Sequence, residues 1–142
     1  KGARNGIHIE MPVIAYQNGF QGLVGKVIEV GEFTSMILPI YDTRCYVSAR
    51  LQTSRFEGLV NGLGNESGNI IMRHVHKRAR EEVRYGDLVI TSGMKSLYPK
   101  DIFIGRVRAI GAQEWESGLE LEIEPIIDFT RLEYVFVLDL EM

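Results

Sequence analysis

Leu119-Glu120-Leu121-Glu122-Ile123-Glu124 carries an aliphatic side chain at every second position and a carboxylate at each position between. A strand has a side-chain period of two, so this segment turns three apolar groups to one face and three charges to the other. It reads as a half-buried strand. Runs of the same character lie at Val13 to Tyr16, Leu23 to Val30, Met36 to Ile40, Tyr46 to Leu51, Asn69 to Val75, Leu88 to Thr91, Ile102 to Ile110 and Tyr134 to Leu138. Eight to ten short strands are therefore predicted. Glycine makes up 15 of 142 residues and falls between these runs, as turns in β-proteins require. Lys77 to Tyr85 has only Ala79 and Val83 at helical spacing, which supports a helical turn or two and no long packed helix. The expected fold class is all-β with little helix, as a sandwich or as barrels.

The order of the runs contains an echo. Met11-Pro12-Val13-Ile14-Ala15 followed by Leu23-Val24-Gly25-Lys26-Val27 resembles Asp87-Leu88-Val89-Ile90-Thr91 followed by Phe103-Ile104-Gly105-Arg106-Val107. Each set continues into a Gly turn, a serine (Ser35, Ser117) and another strand. A strand that curls to close a small barrel needs a residue without Cβ at its bend, which is the place given to Gly25 and Gly105. Gly86-Asp87 reads as the turn entering one strand and Gly93 as the turn leaving it. The expectation is two small β-barrel-like subdomains related by internal duplication, residues 1–75 and 76–142, with the final strand 134–138 free to return to the first. The competing reading is one sandwich in which Gly25 and Gly105 are unrelated bulges.

Composition narrows the function. With 45% hydrophobic and 25% charged residues, the sequence describes an ordinary folded chain. Its apolar runs are far shorter than the roughly 20 residues of a membrane-spanning helix. It begins with Lys1 and shows no basic-then-apolar leader, so it reads as a processed or excised piece of a longer protein. One cysteine, Cys45, permits no internal disulfide and no Cys-rich metal site. The net charge is −3, and the basic residues concentrate between Arg73 and Arg84, without aromatic interleaving and with Glu81 and Glu82 among them. Nucleic acid is not an expected partner.

His74, Asp87 and Ser92 follow one another in the chain order of chymotrypsin-type hydrolases, and a double barrel makes a serine hydrolase, or the remnant of one using Ser92, the alternative function. Against it, Ser92 sits between Thr91 and Gly93 and lacks the flanking glycines of a strained nucleophile turn. His74 and His76 lie two apart on a strand, but a zinc site needs three or four ligands, and Arg73, Lys77, Arg78 and Arg80 would repel a cation. No catalytic residue, metal or cofactor is expected. What remains is apolar decoration on loops, Phe20, Phe33, Tyr41 and Leu97-Tyr98-Pro99, which either plugs a barrel or faces a partner. The candidate partner-binding residues are Leu97, Tyr98 and Phe103 in the second unit and Phe20 and Phe33 in the first.

These same residues resemble the extracytoplasmic β-rich region of the rod shape-determining protein MreC family. The matching elements are Gly22-Leu23-Val24-Gly25-Lys26-Val27, Ser35, Asp42, Gly86-Asp87-Leu88-Val89-Ile90-Thr91-Ser92-Gly93, Pro99, Ile104-Gly105-Arg106-Val107, the alternating strand ending at Pro125, and Leu132. The resemblance implies a non-enzymatic scaffold of the bacterial cell-elongation complex at the periplasmic face of the inner membrane. It implies an upstream membrane anchor and a dimerising coiled coil, with the full-length protein a homo-oligomer. The implied partners are the class B penicillin-binding transpeptidase, MreD and other cell-shape proteins. Two departures stand out: the basic stretch His76 to Arg84 before Gly86-Asp87, and Lys100-Asp101 where a Pro-Gly-type turn is common.

Overall fold

The structure is a computed structural model that describes residues 1–65, 68–93, 98–111 and 118–139. Its strands are β1 (Pro12–Gln17), β2 (Phe20–Val30), β3 (Ser35–Pro39), β4 (Tyr46–Leu51), β5 (Glu57–Asn61), β6 (Ile70–His76), β7 (Leu88–Thr91), β8 (Phe103–Gly111), β9 (Gly118–Pro125) and β10 (Phe136–Val137). Three short 3₁₀ helices, Ala3–Asn5, Lys77–Glu81 and Phe129–Arg131, are the helical elements among the described residues. The all-β reading holds. The alternating segment forms β9 and buries Leu119, Leu121 and Ile123 while Glu120 and Glu124 stay exposed. β5 is the strand the pattern did not announce: Glu57-Gly58-Leu59-Val60-Asn61 has two apolar residues and is held in strand form by β4 and β6 on either side.

Six strands close a barrel. Around its wall the order is β7, β4, β5, β6, β9, β8, and pairing of β8 with β7 shuts it. The other four strands form an open layer in the order β10, β1, β2, β3, joined to the barrel where Gly22 of β2 pairs in parallel with Phe103 of β8. Of the two curled units expected, one closes and the other stays open. A division at residue 75 is corrected by this topology: residues 46–76 supply three barrel strands, and β6 is hydrogen-bonded to β9 beyond the proposed cut. β10 pairs with β1, Val137 opposite Val13, so the end of the described chain returns to the layer.

The two glycine bends occupy corresponding places. Gly25 stands opposite Val13 on one side and Pro39 on the other; Gly105 stands opposite Val89 and Pro125. Register shifts fall at Val13/Ile14 and Val89/Ile90, and again at Val27/Glu29 and Val107/Ala109. Just beyond each bend an isoleucine closes the same backbone bond, Ile40 N–H to Val24 O at 2.8 Å and Ile126 N–H to Ile104 O at 2.9 Å. A Cβ on Gly25 would collide with the carbonyl oxygen of Leu38, and one on Gly105 with that of Glu124. Both strands bend so sharply against their neighbour that only a residue without a side chain fits.

Layer and barrel share one core. Ile14, Leu23, Leu38 and Ile40 of the layer pack in the same cluster as Val47, Leu51, Ile70, Met72, Ile104, Leu119, Leu121 and Ile123 of the barrel. The layer's opposite face is also covered: Met11, Val13, Ala15, Val24 and Val27 pack with Ile127. Burial on both faces explains why β1 and the centre of β2 read as continuous apolar runs without alternation. Each fully buried Leu, Ile or Val contributes roughly 1.5–3 kcal/mol of transfer free energy, so this continuity holds the two parts in a fixed relation.

Candidate protein-docking site

The barrel wall separates the residues of the hydrolase alternative. His74 lies on β6 and Asp87 and Ser92 flank β7, and three strand spacings of about 4.8 Å part β6 from β7 in either direction around the ring. His74 is exposed, with φ of 62° at the bulge between Met72 and Val75. The Asp87 carboxylate accepts the Arg84 N–H at 2.9 Å, and Ser92 is 6% exposed with its own N–H donated to Ser48 O. A proton relay through these three groups has no geometry, and the serine-hydrolase alternative is not supported. Gly86, with φ of 88°, forms the turn before β7; Gly93, with φ of 74°, forms the turn after it.

Tyr98 is corrected from partner anchor to core residue. It is 4% exposed, packs in the main cluster, and its hydroxyl lies 3.8 Å from the Cys45 sulfur. Burial pushes both the Tyr98 phenol and the Cys45 thiol above their ordinary values, because a phenolate or thiolate in that setting would lose its hydration. The signal for this was available: a large ring beside Pro99 in a loop under a small barrel most often plugs it. Leu97 lies outside the described residues.

The other three expected anchors are at the surface. Phe20, at the start of β2, and Phe103, at the start of β8, meet edge to face with ring centroids 5.9 Å apart. The parallel pair Gly22 to Phe103 brings them together, at the seam between layer and barrel. Both rings are half-buried, and the Arg106 guanidinium lies 5.9 Å from the Phe20 ring centroid. Phe33, in the β2–β3 turn, is 63% exposed and has the Arg4 guanidinium 5.5 Å from its ring. Two aromatic rings fixed against each other beside a guanidinium have little rotamer freedom left to lose when a partner covers them.

Some surface aromatics were not singled out from sequence. Tyr16 and Phe136 meet edge to face at 5.4 Å on the outer side of the layer and are 59% and 51% exposed. Phe136 also borders a groove of about 730 Å³ between β3 and β10, floored by Ile7, Met11 and Ile37. No alternation marks Tyr16, because Val13, Ile14 and Ala15 before it are all buried and Tyr16 shares the face of Ile14; Phe136 becomes visible only once β10 is paired with β1.

A closed barrel with an open β-layer beside it, and half-buried aromatics at the seam, defines the class: small all-β barrel modules. The model for "Rod shape-determining protein MreC, barrel core" matches residues 1–139, and the chain belongs to this family. The cell shape-determining protein MreC of Cereibacter sphaeroides is 32% identical over 137 residues, covering 96% of this chain and 41% of that protein. The chain spans between about a third and a half of the length of the curated relatives it matches. A crystal structure of MreC from Pseudomonas aeruginosa superposes with a TM-score of 0.88 at 23% identity, covering 98% of this chain and 85% of that one. A complex between penicillin-binding protein PBP2 and MreC from Helicobacter pylori shares the fold with a TM-score of 0.65 at 16% identity, covering 85% of this chain and 70% of its own.

Proposed function

We propose that this chain is a non-enzymatic scaffold segment of the bacterial cell-elongation complex, at the extracytoplasmic face of the inner membrane, that binds and positions a class B penicillin-binding transpeptidase. The carrying observation is the Helicobacter pylori complex of PBP2 with MreC, whose fold this chain shares. The Phe20–Phe103 pair with Arg106 is the main anchor and Phe33 a second one; MreD and further copies of the full-length protein are partners in the same reading. Aromatic and arginine side chains packed before binding dominate interface energies, so the seam supplies the kind of group this docking needs.

The test is a calorimetric titration against the extracytoplasmic part of a class B transpeptidase. The double variant Phe20→Ala/Phe103→Ala is expected to weaken binding about 30-fold, the loss of one strong anchor point, and Phe33→Ala less. Absence of binding by the unmodified chain overturns the function. Unchanged affinity in all variants, with melting temperature retained, overturns the choice of anchors.

A further inference from the structure

Between β6 and β7 the chain builds a cationic knuckle. Its base is fixed at several points: Ala79 and Val83 are buried in the main core, the Val83 N–H donates to Ala79 O at 2.8 Å, and the Arg78 N–H donates to His76 Nδ1 at 3.1 Å. At its far end the Arg84 N–H donates to the Asp87 carboxylate and the Gly86 N–H to Val107 O. A linker would need none of this. Of residues 76–86 only Ala79 and Val83 are buried; the rest, including Lys77, Arg78, Arg80 and Arg84, are exposed. Among the described residues, no ion pair engages Arg78, Arg80 or Arg84. Arg106 adds a guanidinium beside the same turn by donating to Gly86 O at 3.1 Å. Directly after Arg84 stands Tyr85, 73% exposed.

Two properties decide what such a surface fits. Residues 73–87 carry five basic and three acidic groups, a balance of +2, while residues 88–142 carry five and ten, a balance of −5, and residues 1–72 are balanced, so an anion meets net attraction in this segment alone of the three. Lys77, Arg78 and Arg80 line an open concavity together with Glu81 and Glu82. The two carboxylates in that lining oppose a small anion held inside it, whereas exposed basic side chains beside an exposed amphipathic phenol suit an extended layer of anionic headgroups, in which a tyrosine ring sits readily at the polar–apolar boundary. We propose that residues 76–86 dock the protein on the surface of a phospholipid bilayer bearing anionic headgroups. The site adjoins the Phe20–Phe103 seam through Arg106, but none of residues 76–86 belongs to that seam, and the proposal does not depend on the transpeptidase reading.

The experiment is flotation of the chain with vesicles of phosphatidylcholine alone or of phosphatidylcholine and phosphatidylglycerol in equal parts, at low and high salt. Association with the anionic vesicles at low salt, lost as salt rises, is expected. Each basic residue near an anionic bilayer strengthens binding about fivefold, so Arg78→Ala/Arg80→Ala should weaken it roughly 30-fold, and Tyr85→Ser by a few-fold. These side chains are exposed, and the melting temperature should stay unchanged. Arg4→Ala/Arg131→Ala changes net charge equally at distant exposed sites and should leave binding intact. The proposal is overturned by absence of anionic-vesicle binding, by equal binding to neutral vesicles, by an equal loss in the distant pair, or by no loss in the knuckle variants. Retention on a soluble phosphate polymer without vesicle binding would assign the knuckle to a soluble polyanion instead.

Discussion

Replacing Gly105 by alanine puts the bend of β8 to a direct test. The added methyl collides with the Glu124 carbonyl oxygen and stands 2.8 Å from Ile123 Cγ2, both on the paired strand β9. Backbone cannot rotate out of the way as a side chain can, so β8 and β9 must separate locally. Forced insertion of a methyl into a packed site costs about 1–3 kcal/mol, and loosening the Ile126 N–H bond to Ile104 O adds about 1 kcal/mol. The reduced entropy of the unfolded alanine chain offsets roughly 0.4–1 kcal/mol. The net expectation is a loss of about 2–3 kcal/mol, which in a domain of this size lowers the melting temperature by roughly 10 °C. Gly111→Ala, on the same strand, is the control: its Cβ would lie 3.6 Å from Glu120 O, an ordinary contact, and stability should change by less than about 0.5 kcal/mol. Urea unfolding followed by circular dichroism measures both. If Gly105→Ala costs no more than Gly111→Ala, the strands do not cross as closely as the bend requires, and the account of both glycines fails.

Tyr98→Ala should destabilise by about 3–5 kcal/mol in the same assay, the cost of emptying an aromatic core site; an unfolding midpoint near that of the parent would return Tyr98 to the surface. Because burial raises the folded-state values of Tyr98 and Cys45, their contribution is complete below the ordinary thiol and phenol values and is lost as pH rises past them, from about pH 9 upward. Tyr98→Phe should therefore flatten the alkaline fall in stability measured by urea titration, and an unchanged slope would refute the assignment. Asp101→Ala removes the 2.7 Å partner of Arg50, whose side chain is 17% exposed, and should cost about 1 kcal/mol by thermal unfolding; no loss would show that water replaces the pair. A fluorophosphonate probe should leave Ser92 unlabelled, and mass spectrometry finding the adduct would reopen the hydrolase alternative.

Strand placement was legible wherever apolar residues outnumbered polar ones over a few positions. Tyr46 to Leu51 and Leu88 to Thr91 coincide with β4 and β7 residue for residue. β5 escaped because Gly58 and Asn61 dilute its pattern and its form is imposed by neighbours already paired. The Gly25 and Gly105 bends were readable from local sequence because the steric demand is local, while the way β4 to β6 close against β9 depends on contacts some fifty residues apart that no short window contains. The docking residues divided on the same ground: Phe20 and Phe103 were recognisable singly as large groups near turns, but their meeting at the seam is a product of the β2–β8 pairing. Tyr98 was misplaced because loop position was taken as exposure, although Tyr98 is buried with its hydroxyl beside Cys45.

Among the described residues the barrel wall closes on itself, and the layer's two edges are short, β3 ending at Pro39, whose nitrogen bears no hydrogen, and β10 of two residues leaving only the end of β1 uncovered. Such a molecule gives a neighbouring chain almost no ladder of vacant amides to zip onto. Encounters between copies at high concentration are therefore expected to be sorted more by side-chain chemistry than by backbone pairing.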